Sequence, residues 1–87
     1  MAREWKKSRE VLPPGCLGAW HATESGRTWA GIFQVGAESF LACWHPIGQR
    51  RPVVVRNLPS FSAAQDVVSE ALATTLVVPR NMLPLDF

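Results

Sequence analysis

Two cysteines and two histidines are the residues of this sequence best suited to metal or nucleophile chemistry. Cys16, His21, Cys43 and His45 are the residue types that hold zinc in structural sites. Their spacing, Cys-x4-His and Cys-x-His, differs from the close Cys-x2-4-Cys pair with which such sites usually begin. In a sheet that places His21 and Cys43 two strands apart, roughly 9 to 10 Å separates them, too far for ligand bonds of about 2.0 to 2.3 Å. The sequence therefore predicts no metal site, and a zinc-binding or thiol-dependent protein is the least favoured alternative.

The sequence also lacks the motifs of covalent and acid–base catalysis. Cys43 and His45 alternate onto one face of a strand, but roughly 6 to 7 Å separates such side chains at Cβ, beyond hydrogen-bond reach. There is no Gly-x-Ser-x-Gly elbow and no glycine-rich phosphate loop. The carboxylates are scattered over termini, turns and one polar helix face. We therefore predict a protein that is not an enzyme, with no catalytic residue and no cofactor.

Basic side chains are the remaining candidates for a binding site. The formal net charge is only +2, but the basic residues are concentrated near the N-terminus, where Glu4 and Glu10 partly offset them, and between residues 50 and 58, where there is no acidic residue. They form one phosphate-contacting patch if the N-terminal segment packs near the turn that follows Trp44. We predict that the residues that bind a partner are Arg50, Arg51, Arg56, Lys6, Lys7 and His45.

The stretch that must position these residues runs from Arg27 to Trp44 and is typical of a β-hairpin. Its turn is expected at Gly36-Ala37, because glycine in the first central position suits the II′ turn that matches strand twist. In this register Trp29 pairs with Trp44 and Phe33 pairs with Phe40. One face then collects four aromatic side chains and must be buried, while the other face is mixed and can contact water.

Strands are predicted on both sides of this hairpin. An extended segment from Cys16 to Thr23 joins it through a two-residue turn at Ser25-Gly26, which places Trp20 opposite Gly31 on the aromatic face. Pro52 to Asn57 is expected to form a fourth strand with Val53 and Val55 pointing inward and Val54 on the outer face. Thr74 to Val78 is β-branched and is a candidate for a fifth strand.

One amphipathic helix is predicted after the fourth strand. Ser62-Ala63-Ala64-Gln65 fits a capping box, in which the serine oxygen accepts a first-turn amide proton and the glutamine reaches back to the cap. Apolar residues then recur at the spacing of one helix face: Ala64, Val67, Val68, Ala71 and Leu72. This face is expected to cover the aromatic face of the sheet.

The two ends of the chain have distinct compositions. Residues 1–14 are predicted to be a basic segment or a short helix, because Trp5 and Leu12 recur at helical spacing. Residues 79–87 form an apolar tail with four large apolar side chains, more than an unattached tail usually has. If this tail covers the outer sheet face of a symmetry mate, the protein is a homodimer.

Length and composition indicate a single domain over residues 1–87. The chain is 47 % hydrophobic and 18 % charged, which is typical of a globular protein. No apolar run approaches the roughly 20 residues that span a bilayer, so no membrane partner is expected. The N-terminus lacks the apolar core of a signal peptide, which favours a cytoplasmic protein with reduced thiols.

Together these patterns predict an α+β fold, an antiparallel β-meander of three to four strands, with a fifth from the C-terminal segment, and one helix packed on its aromatic face. In outline the chain resembles the small inhibitor proteins that phages and mobile elements encode, such as anti-CRISPR proteins. The resemblance implies a noncatalytic inhibitor that binds a larger host protein or nucleoprotein, and it transfers no site residues. The alternative is a small nucleic-acid-binding domain that uses the basic edge.

Overall fold

A five-stranded antiparallel sheet with one helix packed on it forms the fold, as the sequence pattern predicted. The structure, a computed structural model, describes residues 4–7, 14–24 and 26–79. The strands lie side by side in chain order, so the sheet is a meander. The elements are β1 (Glu4–Lys7), β2 (Gly18–Glu24), β3 (Arg27–Gly36), β4 (Ser39–Trp44), β5 (Val53–Leu58) and α1 (Phe61–Thr74).

The hairpin of β3 and β4 forms, but its predicted register is wrong. Phe33 pairs with Leu41, and Gln34 pairs with Phe40, one residue away from the predicted pairing. A bulge at Val35 moves the turn to Ala37 and Glu38, both exposed. Because side chains alternate with a period of two, this single step puts Phe33 and Phe40 on opposite faces of the sheet.

The strands β2 and β3 form the predicted hairpin, and their pairing contains a second bulge. Glu24 pairs with Arg27, while Ala22 pairs with Ala30 and Thr23 with Thr28, so Trp29 is the extra residue. Trp20 consequently pairs with Ile32, where the sequence predicted Gly31, but it still lies on the face that the helix covers. Each bulge bends β3 and changes the side-chain alternation at that point.

The structure differs from the sequence prediction near both ends of the described chain. Glu4–Lys7 is a strand, so the helix alternative for the N-terminal segment is wrong over these residues. Thr74 ends the helix, and the fifth strand predicted at 74–78 is reduced to one bridge between Pro46 and Val77. The apolar tail falls outside the described residues, except for Pro79.

The helix begins earlier than the capping-box pattern predicted. Ser60 is the N-cap residue, and its Oγ accepts a hydrogen bond from the backbone N–H of Ala63 at 3.1 Å. Ser62 therefore lies inside the first turn and not at the cap. The earlier start brings Phe61 into the helix, where its ring meets Trp20 edge-on at 4.9 Å between centroids.

The helix covers one face of the sheet over β3, β4 and β5. Alanines in the strands, at positions 22, 30 and 42, leave room for it, and it contributes the buried residues Ala64 and Val68. Complete burial of a side chain such as Val68 stabilises the fold by about 1.5 to 3 kcal/mol before entropy is subtracted. Phe40 and Trp44 complete this core from β4.

The opposite face of the sheet is also buried, which the sequence did not predict. Phe33, Leu41 and Cys43 are almost fully excluded from solvent there, together with Ala19 and Cys16. The one-residue shift explains the result, because it moves Phe33 from the helix face to this second face. Large side chains are therefore divided between two cores, and the predicted mixed face in contact with water is wrong.

Candidate functional site

The predicted basic residues lie at the two opposite edges of the sheet. Lys6 and Lys7 are exposed on β1, the first strand, whereas Arg56 is exposed on β5, the last. Three strands lie between them, and β1 and β5 do not touch. The single basic patch that the sequence predicted is therefore wrong, because the N-terminal strand pairs with β2 and not with the region after Trp44.

The connection between β4 and β5 places the remaining predicted site residues in different surroundings. Arg50 and Arg51 are exposed there. His45 is only 6 % exposed, and its Nε2 donates a hydrogen bond to the carbonyl oxygen of Gln49 at 2.7 Å. This hydrogen bond joins the two ends of the His45–Gln49 segment, and the buried imidazole exposes little surface to a partner.

Two large apolar side chains are also exposed, one of them in the same connection as these arginines. Ile47 is 57 % exposed and Leu76 is 77 % exposed. The Pro46–Val77 bridge is antiparallel, so its register sets Ile47 directly opposite Leu76. Two backbone hydrogen bonds, Ile47 N to Leu76 O at 2.9 Å and Val78 N to His45 O at 2.8 Å, fix this arrangement. Residues directly opposite in an antiparallel pair present their side chains on the same side, about 5 Å apart.

We refer to Ile47, Leu76, Arg50 and Arg51 as the Ile47–Leu76 surface. No acidic residue occurs between positions 39 and 65 of the sequence, so the arginines have no neighbouring carboxylate along this stretch. The surface combines an apolar centre with positive charge. This pairing is common in protein interfaces, where apolar anchors are surrounded by a polar rim and arginine is enriched.

The cysteines and histidines do not gather into a cluster. His21 and Cys43 both pair with Gly31, from opposite sides of β3, so two strand spacings, about 9 to 10 Å, separate their backbones. Cys16 lies at the other end of β3, because its neighbour Leu17 donates to the carbonyl of Gln34. In the described part of the chain, no three potential metal ligands come together.

Both thiols are buried, and their pKa values reflect it. Burial raises the pKa of Cys43 to about 12, against the smaller opposing effect of a backbone hydrogen bond at Gly31. Burial also raises the pKa of Cys16, whose Sγ donates to the carbonyl oxygen of Gly18 at 3.3 Å. A thiol held protonated is a poor nucleophile and a poor metal ligand. Cys16 lies near Gln34 and Cys43 pairs with Gly31, so their separation along β3 also exceeds the Cα distance of about 4.4 to 6.8 Å that a disulfide requires.

A groove lies between the helix and the β1–β2 side of the sheet, which α1 does not cover. Its volume is about 260 Å³, slightly below the range of roughly 300 to 1,000 Å³ that is usual for small-molecule sites. None of its lining side chains is ionisable. We call it the β1–α1 groove, and it is lined by Trp5, Ala22, Val68, Ser69, Leu72 and Ala73.

The aromatic side chains near this groove are packed against one another. Phe61 meets Trp5 edge-on at 5.9 Å and Phe40 edge-on at 6.4 Å between centroids. Trp5 and Trp20 are half-buried, and Phe40 is buried. A sheet that reads single-stranded nucleic acid presents open aromatic rings for base stacking. Here the rings pack against one another at an angle, mostly edge-on, on the helix face of the sheet.

Comparison of the chain with protein-family models, with curated proteins and with solved structures finds no match in any of the three. Over the described residues, the only α-helix is too short and too polar to cross a bilayer.

Sequence reasoning identified the arginines of the candidate surface but missed its apolar half. Leu76 was assigned to a regular fifth strand, in which half of the side chains are expected to be buried. Ile47 lies in the turn predicted after Trp44, where only the basic residues and His45 indicate a site. The usable signal was the adjacent group of turn-forming residues from Pro46 to Gly48, which predicts an exposed connection.

Proposed function

We propose that this chain is a non-enzymatic binding module that docks on a larger, acidic protein through the Ile47–Leu76 surface. The observation that carries the proposal is the exposure of Ile47 and Leu76 at opposed positions of a bridge, with the exposed Arg50 and Arg51 about one turn further along the chain from Ile47. Exposed apolar residues that have no binding role usually occur singly on a protein surface. A pair fixed by backbone hydrogen bonds and flanked by two arginines fits a partner with an apolar pocket and a carboxylate rim.

The character of the β1–α1 groove supports a function without catalysis. Its lining consists of apolar side chains and one serine, so it supplies no general acid, general base or metal ligand. The buried thiols and the hydrogen-bonded His45 are explained by their structural contacts. Binding is therefore a better account of the surface than chemistry.

We extend the proposal to an inhibitor of the kind that phages and mobile elements encode, acting in the cytoplasm on a host protein or nucleoprotein. This extension relies on the resemblance in outline to those proteins. Such a protein acts by occupying a surface of its target. The Ile47–Leu76 surface is the part of this chain that we assign to that role.

The predicted homodimer depends on the apolar tail, which lies outside the described residues except for Pro79. The outer face that this tail was expected to cover is half-buried at Thr28 and Val54, and it is buried within one chain at Ala30, Ile32, Leu41 and Cys43. A homodimer formed through the tail stays a prediction, and light scattering of the chain with and without residues 81–87 measures it directly.

The experiment is affinity capture from nuclease-treated host lysate with four versions of the chain. These are the parent, Ile47→Ser/Leu76→Ser, Arg50→Glu/Arg51→Glu, and the control Leu17→Ser. Leu17 is 62 % exposed, similar to Ile47 and Leu76, but lies outside the proposed surface. The proposal requires a captured protein that the parent and Leu17→Ser retain and that both surface variants lose. Equal capture by all four chains, or loss with Leu17→Ser, contradicts it.

Nucleic-acid binding is the competing outcome, and salt dependence separates the two. The probe is a labelled duplex or single strand titrated with the parent at increasing salt. If nucleic acid is the ligand, affinity falls steeply with salt, and each of Arg50→Ala, Arg51→Ala and Arg56→Ala lowers that slope by about one. The protein-binding proposal expects weak binding in this titration, with no loss on Leu76→Ser.

A further inference from the structure

The turn that carries Ile47 is a defined four-residue β-turn from Pro46 to Gln49. The backbone N–H of Gln49 donates to the carbonyl oxygen of Pro46 at 3.4 Å. Gly48, the third residue, has a φ of 82°, whereas Ile47 in the second position has no positive φ. This combination defines a type II turn, whose third residue must adopt a positive φ. Glycine meets that requirement without strain.

Two further hydrogen bonds attach this turn to the rest of the fold. The Nε2 of the buried His45 donates to the carbonyl oxygen of Gln49 at 2.7 Å. On the other side, the backbone N–H of Ile47 donates to the carbonyl oxygen of Leu76 at 2.9 Å. Val77, which follows Leu76, packs against the core between the helix and the sheet. The backbone of Ile47 is therefore connected to the core, although its side chain is exposed.

A fixed backbone at Ile47 lowers the entropy that binding must remove. Isoleucine is β-branched, so its first side-chain torsion is already restricted before a partner binds. An anchor that is ordered in advance avoids part of the ordering cost of association. Conversely, a protein whose binding conformation is only partly populated binds more weakly, in proportion to that population. The population of the turn therefore sets the affinity of the surface.

We infer that the Ile47–Leu76 surface is in its binding conformation before a partner arrives, and that Gly48 and His45 are the positioning residues that hold Ile47 there. The inference rests on the proposed function, which assigns the surface but not what fixes its shape. Gly48 permits the turn, and the imidazole of His45 closes it. The partner that fits two rigid apolar anchors is a folded protein with a preformed apolar cleft.

Substitutions at Gly48 test this inference without changing the apolar side chains. A Cβ at Gly48 has no atom within 4 Å, so an added side chain is opposed by the backbone conformation and not by a clash at Cβ. Gly48→Asn keeps the turn, because asparagine tolerates a positive φ, whereas Gly48→Val strains it. Gly26→Val is the matched control, since Gly26 has a φ of 75°, equally open space at Cβ, and a place between β2 and β3.

NMR of the free chain measures the turn directly. In the parent and in Gly48→Asn, we expect an NOE between the side chains of Ile47 and Leu76, and a His45 Nε2–H signal that is protected from exchange. Gly48→Val should lose both signals, and Gly26→Val should keep both. The inference is overturned if the parent lacks these signals or if Gly48→Val retains them.

Binding is measured with the protein that the parent captures from nuclease-treated host lysate, purified and immobilised. Gly48→Val should bind it at least about fivefold more weakly, while Gly48→Asn and Gly26→Val stay within about twofold of the parent. If no protein is captured, or if Ile47→Ser/Leu76→Ser binds like the parent, the proposed function fails and this inference fails with it. If that double variant loses binding but Gly48→Val binds like the parent, only the inference fails.

Discussion

Ile47 donates its backbone N–H to the carbonyl oxygen of Leu76 at 2.9 Å, which joins the connection between β4 and β5 to the segment that follows the helix. The contact is made by main-chain atoms, while the two side chains are exposed. The fold therefore does not depend on their chemical identity. Side chains can be changed at these positions to test binding without changing the scaffold.

The first prediction contrasts two neighbouring residues of this segment. Leu76→Ser should change the free energy of unfolding by less than about 0.5 kcal/mol, because the side chain is exposed and the backbone hydrogen bond is kept. Val77→Ser should cost more than about 1 kcal/mol, because Val77 packs against the helix-face core. Urea unfolding of the two variants measures both values. Equal effects would contradict the described position of this segment.

The second prediction concerns where the helix begins. Ser60→Ala should cost about 1 kcal/mol, because it removes the hydrogen bond from Ala63 N–H to Ser60 Oγ. The capping-box pattern instead predicted Ser62 as the N-cap residue. Because Ser62 lies inside the first turn, Ser62→Ala should cost less than about 0.5 kcal/mol. Ser60→Asp is the rescue variant, since aspartate also caps helices well. A larger loss for Ser62→Ala than for Ser60→Ala would place the helix start where the sequence pattern predicted it.

The third prediction tests the register of β3 and β4. Trp44 is buried in the helix-face core, so Trp44→Ala should cost about 3 to 5 kcal/mol. Trp29 occupies a bulge and is only half-buried, so Trp29→Ala should cost less than half as much. The predicted register placed both rings on one buried face and required similar losses. Chemical denaturation distinguishes the two arrangements, and similar losses would favour the predicted pairing.

The fourth prediction is a pH dependence that arises from Cys43. Its pKa is about 12 in the fold against an ordinary value of 9.0, so above pH 9 the unfolded chain releases a proton that the folded chain keeps. The unfolded state then binds fewer protons, and the free energy of unfolding falls as pH rises, by at most about 1.4 kcal/mol per pH unit for this thiol. Below pH 9 this contribution is fully present.

Cys43→Ala provides the reference for that measurement. The stability difference between the parent and Cys43→Ala should be constant from pH 7 to about 9 and should shrink from there to pH 10.5. Cys16 is present in both chains, and the protein has no tyrosine to titrate in this range. A difference that stays constant up to pH 10.5 would show that the Cys43 thiol ionises as readily in the folded protein as in the unfolded chain.

Part of the candidate site was predictable because the exposure of a charged side chain follows largely from its residue type. Arg50, Arg51, Lys6 and Lys7 were all assigned to the surface from their residue type, and the structure leaves them exposed. Their grouping was not predictable, because it depends on which strand β1 pairs with. The burial of His45 was missed for a similar reason, since its carbonyl partner at Gln49 is set by the path of the loop.

The sequence by itself determined the α+β composition of this protein, the order of β2 to β5, and the helix that covers one sheet face. These features follow from short-range signals: alternation in the strands, turn residues such as Ser25-Gly26, and the apolar stripe of α1.

Only the tertiary structure decided the register of the sheet, the pairing of β1, and the placement of Leu76 beside Ile47. Two bulged residues, Trp29 and Val35, change the pairing of β3, and neither carries a local signal that distinguishes it from an ordinary strand residue. A one-residue shift costs little locally, but it moves every following side chain to the other face. The choice is therefore made by the packing of both faces at once, which divides Phe33 and Phe40 between two buried cores.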